Sequence, residues 1–171
     1  MRRVLLPFAA LLCALAVRPA ETGATLIVST PGSSLLESAD DVVLGTIDSA
    51  DAAWQGRRIV TVAQVRVERS FKRRVAATIA VQAPGGTVDG VGMRVMGGAE
   101  LRAGDRALFF LAARPGPHRI VGLGAGKLDV TRDGAGRETI AWQRAGRAQV
   151  EVVPLDDALN DVTARLGERA R

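Results

Sequence analysis

Residues Leu101–Ala112, LRAGDRALFFLA, decide the fold. The run opens on a turn signal, Ala103-Gly104-Asp105, and continues through Ala107, Leu108, Phe109, Phe110 and Leu111, apolar at odd and even positions alike. Successive side chains of a strand point to opposite faces, so a short apolar run bounded by turn residues predicts a strand covered on both sides. The sequence before and after it must supply the covering layers.

Upstream, the pattern is mostly strand. Asp41–Ile47, DVVLGTI, alternates Val43, Gly45 and Ile47 with Val42, Leu44 and Thr46 and predicts a first strand. Asp48–Gly56 then reads as a polar connection whose one large apolar residue is Trp54. From Ile59 to Phe71 the odd positions are Ile59, Thr61, Ala63, Val65, Val67, Arg69 and Phe71, with Gln64, Arg66 and Glu68 between them. That is the period of a strand with one face in a core. Lys72-Arg73-Arg74 turns the chain, and Val75–Ala83 repeats the phase. Between Pro84 and Gly98, PGGTVDGVGMRVMGG, six glycines surround Val91–Met96. Glycines inside a strand mark bulges or bends, which predicts a barrel strand bent at a corner, with a ligand lip as the alternative.

Downstream, His118–Leu123, Lys127–Arg132 and Glu138–Trp142 read as further strands, divided by turns at Pro115-Gly116-Pro117, Gly124-Ala125-Gly126 and Asp133-Gly134. The tail changes period. Within residues 154–169, Leu155, Leu159, Val162 and Leu166 recur at spacings of four, three and four, one face of an amphipathic helix. Pro154 suits its start, and Asp156 and Asp157 suit the positive end of its dipole. Ser33 or Ser34 is placed to cap a short helix through Ser38 that turns Leu35 and Leu36 inward. Residues 33–171 are thus expected to form one mainly β domain around one core. Its predicted form is a small closed or partly open antiparallel barrel of the oligonucleotide/oligosaccharide-binding (OB) kind, with a short N-terminal helix and a C-terminal helix.

The first residues carry a different message. Arg2 and Arg3 precede the apolar stretch Val4–Val17, which is short for a bilayer span, and Ala14-Leu15-Ala16 fits a small-x-small cleavage pattern. Residues 1–16 therefore read as a signal peptide, with Ala20 or Ala24 as later cleavage points, and residues 17–32 as a flexible leader. Leu12 stands where a lipoprotein signal needs a small residue before Cys13. The expected product is secreted or periplasmic, with no later membrane span. Cleavage removes the only cysteine, and with it disulfide and thiol chemistry. It also takes the 23 basic residues to 21 against 18 acidic ones, a net charge of +3 that does not compel a nucleic-acid partner.

Three landmarks also resemble, in order, those of netrin-like modules, the OB-type barrels that include tissue inhibitors of metalloproteinases. They are ADDVVLGTI at 39–47, the strand closing in ERSFK at 68–72, and LRAGDRALFFL at 101–111. Such modules tend to open on Ala-Asp-x-Val-Val-x-Gly-x-Val, close a strand in a Phe/Tyr-Lys-Gly corner, and place a Gly-acid turn before a Tyr/Leu-rich strand. The resemblance spans residues 39–112, about half of the chain left after cleavage, and implies a fold. Arg73 stands where the corner has glycine. The cleaved chain also lacks the disulfides and the amino-terminal cysteine by which those inhibitors ligate a protease zinc, so inhibition by that route is excluded.

Groups for chemistry are few. The sole histidine, His118, sits between Pro117 and Arg119 and reads as a surface turn residue, no serine follows Ser70, and no Gly-x-Ser-x-Gly is present. One histidine without cysteine makes no zinc set, and no cofactor is expected. Asp129, Asp133 and the Gly134 turn lie close together, so calcium there is an alternative to a plain hairpin turn, although the spacing departs from an EF-hand. Gly122–Leu128, GLGAGKL, lacks the Walker spacing and leads into a strand. Asp40-Asp41 and Asp156-Asp157 are sequence neighbours, which do not face one another on a strand or a helix, so neither reads as an acid/base dyad.

The positive candidate is the basic group Arg66, Arg69, Lys72, Arg73 and Arg74, an anion-binding patch weighed against a solvated strand end. The function expected is an exported, non-enzymatic binding domain whose partner is an extracytoplasmic protein, such as a protease, or an envelope component. One alternative is a carboxylate-based hydrolase of envelope or extracellular polysaccharide. The other is a binder of anionic polymer or nucleic acid through the basic strand end, against which export argues.

Overall fold

The computed structural model describes residues 32–144, 147 and 149–169; the predicted signal peptide and the leader up to residue 31 lie outside them. A short helix, α1 (Gly32–Ser38), leads into a long hairpin, β1 (Asp41–Gln55) and β2 (Arg58–Ser70), and then β3 (Thr78–Pro84). Two short strands follow, β4 (Gly86–Val88) and β5 (Val91–Met93), before β6 (Arg106–Ala112) and β7 (His118–Ile120). The chain ends in β8 (Lys127–Arg132), β9 (Glu138–Trp142), β10 (Glu151–Pro154) and α2 (Leu155–Arg169).

Five strands close in the order β1-β2-β3-β7-β6 and back to β1. The closing pairs run from Asp41↔Leu111 to Thr46↔Arg106, so neither β1 nor β6 is left as a free edge. Every seam is antiparallel except β3 with β7, where Val81↔His118 and Gln82↔Arg119 pair in parallel. A parallel pair needs a crossover too long for a hairpin, and residues 85–117, with β6 among them, supply it. This is the mainly β, OB-like barrel that the strand patterns predict, with one parallel seam.

The predicted single core is corrected to two. Ala107, Phe109 and Leu111 of β6 point into the barrel with Val43, Ile47, Ala63, Val65, Ile79 and Val81. Leu108 and Phe110 point the other way, into a second layer with Leu36 of α1, Val42 and Leu44 of β1, Ile140 and Trp142 of β9, and Leu159 and Val162 of α2. Phe110 and Trp142 lie nearly parallel there, 6.2 Å between ring centroids at 14°. Chain length bounds the total apolar area but not the number of layers it makes. One strand apolar on both faces serves two cores at once, each fully buried side chain contributing about 1.5–3 kcal/mol.

β3 begins at Thr78 and not Val75, β7 ends at Ile120 and not Leu123, and three further boundaries differ more widely from expectation. The stretch 48–55, predicted as a connection, remains strand, with Ser49–Gln55 paired to Arg58–Gln64 across a turn at Gly56 (φ 61°). The ladder to β2 holds this half of β1 as strand although its own side chains are largely exposed. The Gly85–Gly98 segment is no bent barrel strand. It forms a separate hairpin, β4–β5, turned at Asp89 (φ 49°) and Gly90 (φ 79°), the left-handed pair a two-residue type I′ turn requires. Finally, Pro154 ends β10, an unpredicted strand, and α2 begins at Leu155.

β7 and β8 act as one interrupted partner of β6. The chain leaves the ladder after Val121, whose N–H donates to the Phe110 carbonyl (2.9 Å), and rejoins at Gly126, whose carbonyl accepts the Phe110 N–H (2.8 Å). Residues 122–125 therefore loop out of the sheet, which accounts for the glycine-rich stretch. Among the described residues, no helix is long and apolar enough to cross a membrane.

Candidate functional site

The barrel rim beside the outer half of the β1–β2 hairpin carries a concavity. β4 rests on that hairpin at backbone distance. The Gly85 N–H donates to the Ile59 carbonyl (2.9 Å), and the Thr61 hydroxyl donates to the Gly85 carbonyl (2.8 Å). A Cβ at Gly86 would lie 2.6 Å from Thr61 Oγ1 and 2.8 Å from the Ala52 methyl. The β4–β5 hairpin and the loop returning from Arg94 to Arg102 enclose a groove of about 1170 Å³. The loop is tied down at its middle, where the Gly124 N–H from the 122–125 excursion donates to the Gly97 carbonyl (2.7 Å).

Large apolar side chains stand in water on these hairpins, and one of them, Met96, lines the groove. Met96 is 96% exposed, and Val91 is half exposed on the β4–β5 turn. Trp54, also half exposed, lies on the same hairpin face as Ala52 and Thr61, the residues β4 rests on. Two cations share one anion at the groove: Arg94 Nη2 donates to Glu100 Oε1 (3.2 Å), and Arg102 Nη2 donates to Glu100 Oε2.

A second recess of about 270 Å³ adjoins the first through Gly98, Ala99, Glu100 and Arg102. It holds Lys127, whose side chain is 4% exposed and whose ammonium donates to Asp105 Oδ2 (2.9 Å) and to Asp129 Oδ1. A desolvated ammonium needs such partners, so these two carboxylates meet on a lysine and not on each other. Asp133 is engaged separately, accepting from the Ala135 and Arg137 N–H groups (2.9 Å each) and from Arg137 Nε (2.8 Å). The Arg137 amide and guanidinium hold its carboxyl below the usual aspartate range. Among the described residues, no group of three or more His, Cys, Asp or Glu side chains gathers as a metal would require.

The basic group predicted from sequence is largely engaged by the chain itself. Arg66 Nε donates to Asp48 (3.2 Å), the Arg69 guanidinium lies 4.7 Å from the Phe71 ring centroid, and Lys72 Nζ donates to the Ala39 carbonyl beyond α1. Arg73 grips Asp41 with two bonds, Nε to Oδ1 (2.8 Å) and Nη2 to Oδ2 (2.7 Å), and the Asp41 carboxylate is 1% exposed. Donating to Asp41 raises the pKa of the Arg73 guanidinium above its ordinary value. Arg74 is exposed.

His118 departs from the surface-turn expectation. It opens β7, with Nε2 3.5 Å from Asp41 Oδ2 and its side chain mostly buried. Of the paired acids, Asp40 accepts the Ala113 N–H (2.9 Å) while Asp41 turns to Arg73, and Asp157 accepts from Arg144 (3.0 Å).

Sequence reading reached part of this groove, as the ligand-lip alternative for Gly85–Gly98, but not its wall at Ala99–Arg102 or its charged trio, for which two signals were there to read. Asp89-Gly90 between Val88 and Val91 is a hairpin signal, and Arg94, Glu100 and Arg102 bring alternating charge to a glycine-rich segment. No family model matches this chain, and no curated protein or solved structure matches it significantly.

Proposed function

We propose that the protein is a non-catalytic binding module that works outside the cytoplasm and holds a macromolecular partner at its barrel rim. The partner is an extracytoplasmic protein, such as a protease, or a component of the envelope. The observation that carries this reading is the groove walled by the β4–β5 hairpin and the Arg94–Arg102 loop, with Met96 of its lining, and Val91 on the strand beside it, left in water. Large apolar side chains gathered at a concave site mark a place where a partner removes them from water.

Two further points support it. In OB-type barrels the loop of the first hairpin takes part in binding, an analogy at the level of fold, and here the first hairpin stands beside the groove. Arg2, Arg3 and the apolar run Val4–Val17 support export. Tagged protein incubated with culture supernatant and with envelope extract is expected to retain one partner saturably. Retention of none from either source overturns the reading.

A further inference from the structure

We infer that the groove receives an extended stretch of polypeptide that carries apolar side chains and at least one carboxylate, an assignment that rests on the binding reading above. Among the described residues β5 pairs with β4 alone, so its other edge, Val91–Met93, is open to a further strand. Gly92 in that edge and Gly97 in the facing loop have no side chain to hold a second backbone away. An open edge bonds main-chain groups of almost any sequence, and the side chains around it then choose among sequences.

Those side chains are of two kinds. Met96 and Val91 offer apolar contact, and the unbranched thioether of Met96 can adapt to differently shaped partners. Arg94 and Arg102 bring two positive charges to the single carboxylate of Glu100. An incoming carboxylate evens that balance, and guanidinium groups bind carboxylates through paired hydrogen bonds. A polyanion fits less well, because Glu100 sits between the arginines and no aromatic side chain lines the groove to stack on bases.

The test pans a displayed library of random dodecapeptides on the full chain and titrates the best synthetic peptide by fluorescence anisotropy. Enriched peptides are expected to alternate apolar and polar residues and to include Asp or Glu. Met96→Glu is expected to weaken binding about tenfold or more, as loss of a central anchor does. Arg94→Ala with Arg102→Ala is expected to weaken binding and flatten its salt dependence. All three residues are exposed, so circular dichroism should report unchanged folding. The inference is overturned if no peptide is enriched, or if enriched peptides bind both variants as tightly as the original. It is equally overturned if a heparin oligosaccharide or an oligothymidylate probe, and not peptide, is displaced by Met96→Glu. A partner captured equally by wild type and Met96→Glu would end this assignment while leaving the binding-module reading in place.

Discussion

The Gly124 N–H reaches across to the Gly97 carbonyl at 2.7 Å, joining the loop that leaves the β6 ladder to the loop that walls the groove. A Cβ on Gly124 would lie 2.5 Å from that same oxygen and 3.1 Å from the Gly98 carbonyl carbon. Both neighbours are backbone, which cannot rotate aside. Gly124→Ala is therefore expected to push the two loops apart and to destabilise the protein by about 1–3 kcal/mol, the usual range for overpacking. Urea denaturation measures the loss. A variant as stable as wild type would show that the two loops move independently.

Phe109 and Phe110 are neighbours on β6 that face different cores, both fully buried. On a strand with one wet face, one of the two would be cheap to truncate. Here Phe109→Ala and Phe110→Ala are each expected to cost about 3–5 kcal/mol, since both leave a cavity in close packing. Equilibrium unfolding of the two single variants checks this, and a cost below about 1 kcal/mol for either one refutes the two-core account of β6.

Much of this architecture was legible because it is written in short-range pattern. The unbroken apolar run 107–111 announced a doubly covered strand, the odd phase of β2 announced its barrel face, and the 155–159–162–166 spacing announced the helix that covers the second layer. What escaped reading depends on pairing over distance. Residues 48–55 are held as strand by their ladder to 58–64 and not by burial, so they lack an apolar signature. β10 is four residues long, with Val152 within it and Val150 just before it facing water. The basic group looked like a surface because nothing local says that Asp41 lies beneath Arg73 or that Lys72 reaches Ala39. The groove is made by which segments return to the rim, and residues far apart in sequence set that.

Glu68 links pH to stability through β1, β2 and β6. Its carboxylate accepts from Arg106 Nε (3.1 and 2.9 Å) and from the Thr46 hydroxyl (2.8 Å). The Arg106 bond, opposed in part by burial and helped by Thr46, holds its pKa below the ordinary value of 4.5. A depressed folded-state pKa contributes stability that is present above the unfolded value and disappears as the pH falls through the folded one. Glu68→Gln should therefore be less stable than wild type at about pH 7, by no more than about 1 kcal/mol for a pair partly open to solvent, and the gap should shrink as the pH falls below about 4.5. Paired melts across that range decide it, and a gap that widened in acid would reverse the sign.

Trp142 fixes α2 to β9 through one polar contact inside an apolar layer. Its indole N–H donates to Asp161 Oδ2 (2.6 Å), and Arg165, one helical turn further on, pairs with the same oxygen (2.7 Å) while its guanidinium lies 5.4 Å from the indole. Asp161→Ala leaves a buried N–H without an acceptor and removes the anion that positions Arg165. The expected cost is about 1–3 kcal/mol, the price of an unmet buried donor. Trp142→Phe removes the donor together with its need, so the double variant should be less destabilised than the two single losses added together. A double-mutant cycle by denaturant unfolding measures that coupling. If the two losses simply add, the indole and the carboxylate act independently, and this contact does not couple α2 to β9.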